Sequence, residues 1–490
     1  MEYGPDKPAF GGGATATVLH PIILVATILV VILMLVLPRR KVAIPFLLLV
    51  FLGSYGQQLY IAGIHLFVLR IIILAGLVRV ALASKGPAGS RFKGGWTAVD
   101  KVYVLWVVFR VLATILQERG ATGAIIYETG YLWEALGGYV LLRFLIEDEE
   151  DITLVMKVFA TIAVILAITM INEKLRNQNV FGYLGSVSIL PENREGTIRA
   201  QGDSAHAILA GVLGVTLVPM FWWLWKSGKT KMLGILGWIG STVMMLTSVS
   251  STPLLSYMGA IVALCFWPFR KSMRVFRWGL VIALIVCHLI MKAPVWFLIA
   301  HVDLVAGNSG YHRAMLIDQC ARHFWDWWLI GTNATNTWGW DMWDLSNQFV
   351  AEADTGGLAT FTCFVTVISL CFSRIGRARK LMEGDKQKEW FMWFLGVTLF
   401  THIVSYFGIS YFDQTKISWC AFLAIAIAAT APVLARGDEL APDKNSNGNR
   451  FKSTLESIPR EFEPVSRNAR SLVSSSLASV AWSTRHPSNL

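Results

Sequence analysis

The chain has 490 residues, of which 54% are hydrophobic and only 15% charged, and it carries a formal net charge of +11. A soluble chain carries about a quarter charged residues, so a water-soluble globular domain is excluded. The positive excess does not point to nucleic acid, because the basic residues stand in short loops beside apolar runs, where the positive-inside rule places them. The lipid bilayer is the expected environment.

The N-terminal segment, residues 1–17, lacks a basic n-region, and no cleaved signal peptide is read there. Apolar segments follow near 18–37, 42–60, 64–83, 97–116, 126–146, 152–170, 204–225, 232–249, 253–269, 277–292, 354–373, 389–409 and 416–435. Most approach the roughly 20 residues that a bilayer span requires. Basic clusters lie at Pro38–Lys41, Lys85–Lys93, Lys226–Lys231, Arg270–Arg277 and Arg374–Lys388. Successive clusters are separated by even numbers of segments, as they must be if all are cytoplasmic. The same parity requires a turn at Ser248–Pro253, and it puts the acidic connector Glu147–Asp151 on the cytoplasmic side, where acidic residues carry little topological weight. The expected fold is an all-α polytopic membrane protein over residues 18–435, a bundle of about 12 (11–13) transmembrane helices. One large non-cytoplasmic loop, 293–353, interrupts it and contains an amphipathic helix. Residues 436–490 turn to Ser, Asn, Arg and Glu and read as a mostly disordered cytoplasmic tail, with a surface helix near Leu472–Trp482. Five of the six cysteines lie in or beside apolar runs, Cys320 alone lies in the large loop, and no disulfide framework or zinc-ligand spacing results.

Chemistry-bearing residues gather on the non-cytoplasmic side. Arg194 and Arg199 stand just before the span that opens with the small-residue stretch Gly202–Gly211. A guanidinium never deprotonates and grips phosphate oxygens bidentately, which suits a diphosphate at a membrane surface; the plainer reading is a helix anchor. His206 in the same stretch is a candidate base or a packed polar residue. In the loop, Met315, Leu316, Cys320, Phe324 and Trp327 recur at helical spacing while Arg313, Asp318 and Arg322 fall on other sides. His312 and Arg313 then occupy the first turn, where free backbone N–H groups favour anions. Asp341 and Asp344 form one carboxylate pair, too few donors for a hard-cation site, and no metal or cofactor is expected. Glu352, at the head of the next span, is a candidate general base. Within the spans Arg70, Arg110 and Glu134 stand out. A charge at the bilayer centre costs about 2.5–3.5 kcal/mol on insertion scales, so such residues are expected to face a cavity or a partner: Arg70 and Arg110, toward the outer ends, either snorkel or do so, and an Arg110–Glu134 ion pair is one such pairing.

Several stretches together resemble the O-antigen ligase/polymerase superfamily: Leu66–Arg70 with Gln57 upstream, TIRAQGDSAHAILAG, SVSSTPLLSYMGA, GNSGYHRAMLIDQCARHFWDWWLIGT and DLSNQFVAEADTGGLATF. The resemblance spans most of residues 18–435 and is densest from Arg199 to Phe361. It implies a metal-independent glycosyltransferase, polymerase or ligase, of the bacterial inner membrane with its active face periplasmic. The implied partners are an undecaprenyl-diphosphate-linked glycan donor, a glycan or lipid acceptor and other polysaccharide-assembly membrane proteins. On this resemblance Arg199, Arg70, Arg313 and Arg194 hold the diphosphate. His312, Glu352 and Asp318 are the catalytic candidates, and Gln57, His206, Asn347 and Gln348 line the substrate. Two positions depart from the pattern. Family members often carry an arginine within the stretch matching SVSSTP, where this chain has Ser250 and Ser251; ligases carry a histidine directly before the asparagine matching Asn347, where this chain has Ser346. The alternative reading is a secondary transporter or flippase for a lipid-linked or anionic glycan, in which the same arginines bind without chemistry.

Overall fold

The computed structural model describes residues 17–440 except positions 54, 62–63, 84–90, 119–121, 186, 195, 229 and 302–308. The N-terminal residues 1–16 and positions 441–490, with the helix expected near Leu472–Trp482, lie outside the described residues. Helices dominate. The chain runs α1 (Pro21–Val36), α2 (Arg39–Leu52), a hairpin of β1 (Gln58–Ile61) and β2 (Ile64–Phe67), α3 (Val68–Leu82), α4 (Ala98–Gln117), α5 (Thr122–Leu132), α6 (Gly138–Leu145) and α7 (Glu149–Arg176). A second hairpin, β3 (Glu192–Arg194) and β4 (Thr197–Arg199), leads into α8 (Ala207–Lys226), α9 (Lys231–Ser248), α10 (Ser251–Cys265) and α11 (Met273–Ile290). Then come α12 (Ser309–Arg322), the short α13 (Phe324–Trp327), α14 (Gln348–Leu381), α15 (Lys386–Tyr406) and α16 (Gln414–Leu440).

Five stretches among the described residues are long and apolar enough to cross a membrane: Glu149–Arg176, Ala207–Lys226, Trp267–Ile290, Gln348–Leu381 and Gln414–Gly437. Helices α1 and α10 are apolar but shorter. Helix α11 has no buried residue at all, and it exposes Trp278, Ile282, Leu289 and Ile290. A helix apolar all round belongs in lipid or in a core, and α11 is not in the core. The protein is therefore a helical membrane protein. One expected segment is divided: the run 42–60 ends its helix at Leu52, Gly56 turns the chain at φ +66°, and the hairpin begins at Gln58.

Close approach of three helices sets the middle of the bundle. Gly234, Gly237 and Gly240 recur every third residue of α9. A Cβ on Gly234 would lie 2.6 Å from the Trp225 amide nitrogen, and one on Gly240 would lie 2.8 Å from the Ala163 carbonyl oxygen. Small residues let membrane helices touch through their backbones, so α9 seats directly on α7 and α8. The basic clusters are tied down by acids. Arg39 and Arg40 pair with Glu147, Asp148, Glu150 and Asp151, which accounts for an acidic connector beside PRRK. Glu389 bridges Arg270 and Arg379 at 2.8 and 3.1 Å, joining two more basic clusters.

The segment expected as the large loop packs on a small apolar cluster of its own. Leu316, Cys320, Trp327, Trp338, Met342, Val350 and Ala353 bury one another, each large side chain contributing about 1.5–3 kcal/mol of burial. This cluster is stitched to a break in α14. Gly357 sits at φ +67°, ψ −164°, a region open essentially to glycine alone. The Trp328 carbonyl accepts the Leu358 N–H at 2.9 Å, and the Asp354 carbonyl accepts the Thr332 N–H at 2.7 Å. A Cβ at Gly357 would lie 2.7 Å from the Leu329 carbonyl oxygen. Gly357→Ala is expected to cost about 1–3 kcal/mol and to loosen residues 324–358 selectively. Faster hydrogen exchange there than in α7–α9 is the measurement, and unchanged exchange across 324–358 would show that the break carries no load.

Candidate functional site

Arg199 ends β4 and is held by every element around it. Glu173 of α7 accepts the N–H groups of Gln201 and Gly202 at 3.2 and 3.0 Å. The Ala200 N–H donates to the Thr247 carbonyl at 3.1 Å, Asn179 donates to the Gly202 carbonyl at 2.8 Å, and Gln414 donates to the Asp203 carbonyl at 2.6 Å. The side chain is 4% exposed. Its Nη1 donates to Glu192 Oε1 at 2.8 Å and its Nη2 to Ser250 Oγ at 2.7 Å, while its Nε–H, buried, meets no acceptor. Glu192 is the cross-strand partner of Arg199 in the hairpin register. Ser250 spends its own proton on the Ser248 carbonyl and so presents a lone pair to the guanidinium. It sits next to Val249, a β-branched residue held at φ +43°, a strained conformation of the sort found at functional sites.

Arg199 faces a cavity of about 790 Å³ whose wall is shared between the β3–β4 hairpin, the α9–α10 turn and the segment after α11. That volume is within the range of small-molecule sites, roughly 300–1,000 Å³. Arg194, Arg199, His206, His312 and Arg313, read separately from the sequence, all line it, with Glu192, Ser250, Asp341, Asp344 and Ser346. His312 donates from Nε2 to the Asp341 carbonyl at 2.9 Å, because a carbonyl can only accept. The tautomer is thereby fixed, and Nδ1 is left as an acceptor 3.4 Å from Ser346 Oγ. His206 is differently engaged. Its Nδ1 accepts the Ile208 N–H as the N-cap of α8, and its Nε2 is 3.6 Å from Glu192. Desolvation holds it below the ordinary histidine value; Arg199 and Arg194 push the same way and Glu192 opposes them. His206 is a neutral cap on the cavity wall, with no lone pair to spare for a base. Asp344 is raised above the usual carboxylate value, first by desolvation and then by Asp341, against the pull of His312 and Arg313.

The remaining residues singled out from the sequence are placed elsewhere. Arg70 does not join Arg199: its Nε donates to Glu134 at 2.7 Å, its Nη1 donates to the His65 carbonyl, and its guanidinium lies over Phe67. Glu134 thus pairs with Arg70 rather than with Arg110, which stacks on Tyr131 at 4.1 Å. Glu352 is fully buried, with both oxygens engaged by Trp106 Nε1 at 2.7 Å and Gln348 Nε2 at 2.6 Å. It has no lone pair aimed at the large cavity and does not line it. Asp318 is occupied by Trp296 and Arg322. Gln57 joins the His20 N–H to the Leu184 carbonyl. Asn347 caps α14, and Gln348 accepts the Tyr411 N–H. These are structural roles outside the cavity. Sequence reading passed over Glu192. The signal was there in PENREGTIR, where a glycine turn pairs Glu192 with Arg199 across a two-stranded ladder.

The scan against protein-family models finds no match for this chain, and none of the curated proteins compared matches it.

Glu192 occupies the position an anionic ligand would take on Arg199. The Arg199 side chain is buried but that of Glu192 is 39% exposed, so the carboxylate can turn out to water provided another anion takes its place on the buried guanidinium. In Glu192→Gln, inorganic pyrophosphate is expected to bind about 3- to 10-fold tighter by calorimetry, the gain shrinking as salt is raised. Equal affinity in variant and wild type would mean that the carboxylate does not compete for the guanidinium.

Proposed function

We propose that this protein is a membrane glycosyltransferase of the O-antigen ligase/polymerase type. In this reading about 12 spans carry the chain across the bacterial inner membrane, and glycans on undecaprenyl diphosphate are polymerised or transferred at the periplasmic face during surface polysaccharide assembly. The observation that supports it best is the buried Arg199 guanidinium with an unmet Nε–H, lining one cavity with Arg194 and Arg313. A diphosphate supplies acceptor oxygens to such a cluster, and preorganised positive charge stabilises it as a leaving group. The lipid-facing helix α11 fits a substrate carried in the bilayer.

The chemistry is a displacement at the anomeric carbon. The acceptor hydroxyl oxygen forms the new bond to that carbon, the bond to the diphosphate oxygen breaks, and the electron pair leaves with the diphosphate among the guanidinium groups. The hydroxyl proton passes to His312 Nδ1, the one candidate base that lines the cavity with its lone pair preserved. The resemblance places a histidine directly before the asparagine that Asn347 matches; here that position is Ser346, and His312 reaches it from α12 at 3.4 Å. This juxtaposition supports a histidine of the same role delivered from a different element.

A transporter or flippase is the second reading. It draws on the buried Glu128 and Glu352 and the half-buried Arg110 within the bundle, since ionisable groups at membrane depth commonly mark translocation paths. The two readings part in one assay with purified protein, labelled lipid-linked glycan and acceptor. An enzyme releases free carrier diphosphate in proportion to acceptor; a transporter moves intact donor. Arg199→Ala is expected to lower that release by at least about 100-fold with normal insertion, and Arg199→Lys to retain part of it. Product of normal yield from Arg199→Ala would remove this residue from the mechanism.

A further inference from the structure

The cavity has a second chemical character that the diphosphate reading leaves unused. The turn from Trp338 to Ser346 contributes two indoles, Trp338 and Trp340, and two carboxylates to the wall. Trp340 is 94% exposed, although a large apolar ring ordinarily gains by burial. The backbone holds it out: Gly339 before it stands at φ +150° and Asp341 after it at φ +61°. Trp338, by contrast, is buried and stacks on His323 at 5.3 Å, anchoring the turn. Beside the free indole, Asp341 and Asp344 offer only acceptors when ionised.

A hexose ring matches this arrangement. One of its faces is a layer of C–H groups with slight positive character, which pairs with the negative face of an aromatic ring. Its edge carries hydroxyl or amide donors, which two carboxylates accept. The same carboxylates repel a uronic acid or a sulfated sugar. The Asp341 carbonyl is also the acceptor that fixes His312, so a sugar on this turn lies next to the base.

We infer that Trp340, Asp341 and Asp344 form a subsite for the sugar unit bonded to the diphosphate, selecting a neutral or amino hexose over a carboxylated one. The inference rests on the reading that Arg199 and its neighbours take the diphosphate. A tryptophan serving only as an interfacial anchor is the competing account of Trp340.

The test uses the full-length protein in lipid nanodiscs and calorimetry with three soluble short-chain prenyl diphosphates: bare, bearing N-acetylglucosamine, and bearing glucuronic acid. The N-acetylglucosamine form is expected to bind about tenfold tighter than the bare lipid, and the glucuronic form no tighter than the bare lipid. Trp340→Ala should erase that gain while leaving bare-lipid affinity unchanged, which also reports intact folding, and Trp340→Phe should restore part of it. In the double variant Asp341→Asn/Asp344→Asn the glucuronic form should bind tighter than the bare lipid. Equal wild-type affinity for the bare and N-acetylglucosamine forms, or a gain that survives Trp340→Ala, overturns the subsite. Arg199→Ala separates the two layers: if it binds bare lipid as the wild type does while the Trp340-dependent gain persists, the diphosphate reading fails and the sugar subsite stands.

Discussion

Burial of the Arg199 guanidinium is the constraint on which the site depends. A buried charge is costly unless it is paired and hydrogen-bonded, and here two of its three donor nitrogens are satisfied by groups from different elements, Glu192 of the hairpin and Ser250 of the α9–α10 turn. The helices fix the loop that carries Arg199 through Glu173, Thr247 and Gln414, and the loop then presents the charge. Precision at the cavity therefore comes from long helices, while its chemistry comes from the short segments between them. This division is usual where a rigid scaffold carries functional loops.

The segment after α11 depends on the same logic from the other direction. It buries its own small apolar cluster and is fastened to α14 where Gly356 and Gly357 break the helix. Because Gly357 has no Cβ, the Leu329 backbone can lie against it. Farther along the same segment the Asp341 carbonyl accepts from His312 Nε2 and so sets the tautomer of His312.

Much of this was legible in the chain. Apolar runs gave the helices, since hydropathy and length need no tertiary knowledge. The pairing of basic loops with acids was partly legible too: EDEED looked out of place until Arg39 and Arg40 were set beside it. Arg194, Arg199, His206, His312 and Arg313 were singled out from motif position, and all five line one cavity. Arg70, Asp318 and Glu352 were singled out on equally good local grounds and line other places. The difference is azimuth. A charged residue in a helix points in a direction fixed by neighbours distant in sequence, such as Trp106 for Glu352 or Glu134 for Arg70. The local pattern carries no record of those neighbours. Glu192 was overlooked for the opposite reason, because a three-residue strand has too little periodicity to be read with hydropathy alone.

A second, much smaller cavity lies among the charges around Arg110. Arg110, Gln348, Glu352 and Lys416 line a cavity of only about 20 Å³, space for a single water molecule and nothing larger. No sugar or phosphate enters there without the helices separating. Glu352 meanwhile ties α4 to α14 through Trp106, and Gln348 ties α14 to the chain before α16 through the Tyr411 amide. Groups so fully hydrogen-bonded rigidify a structure and lose strength steeply when one member is removed. Gln348 and Glu352 both stand in the first two turns of α14, which begins just after Ser346 of the larger cavity's wall. Arg199, on the wall of the larger cavity, keeps a buried, unanswered Nε–H, whereas both oxygens of Glu352 are engaged by Trp106 and Gln348.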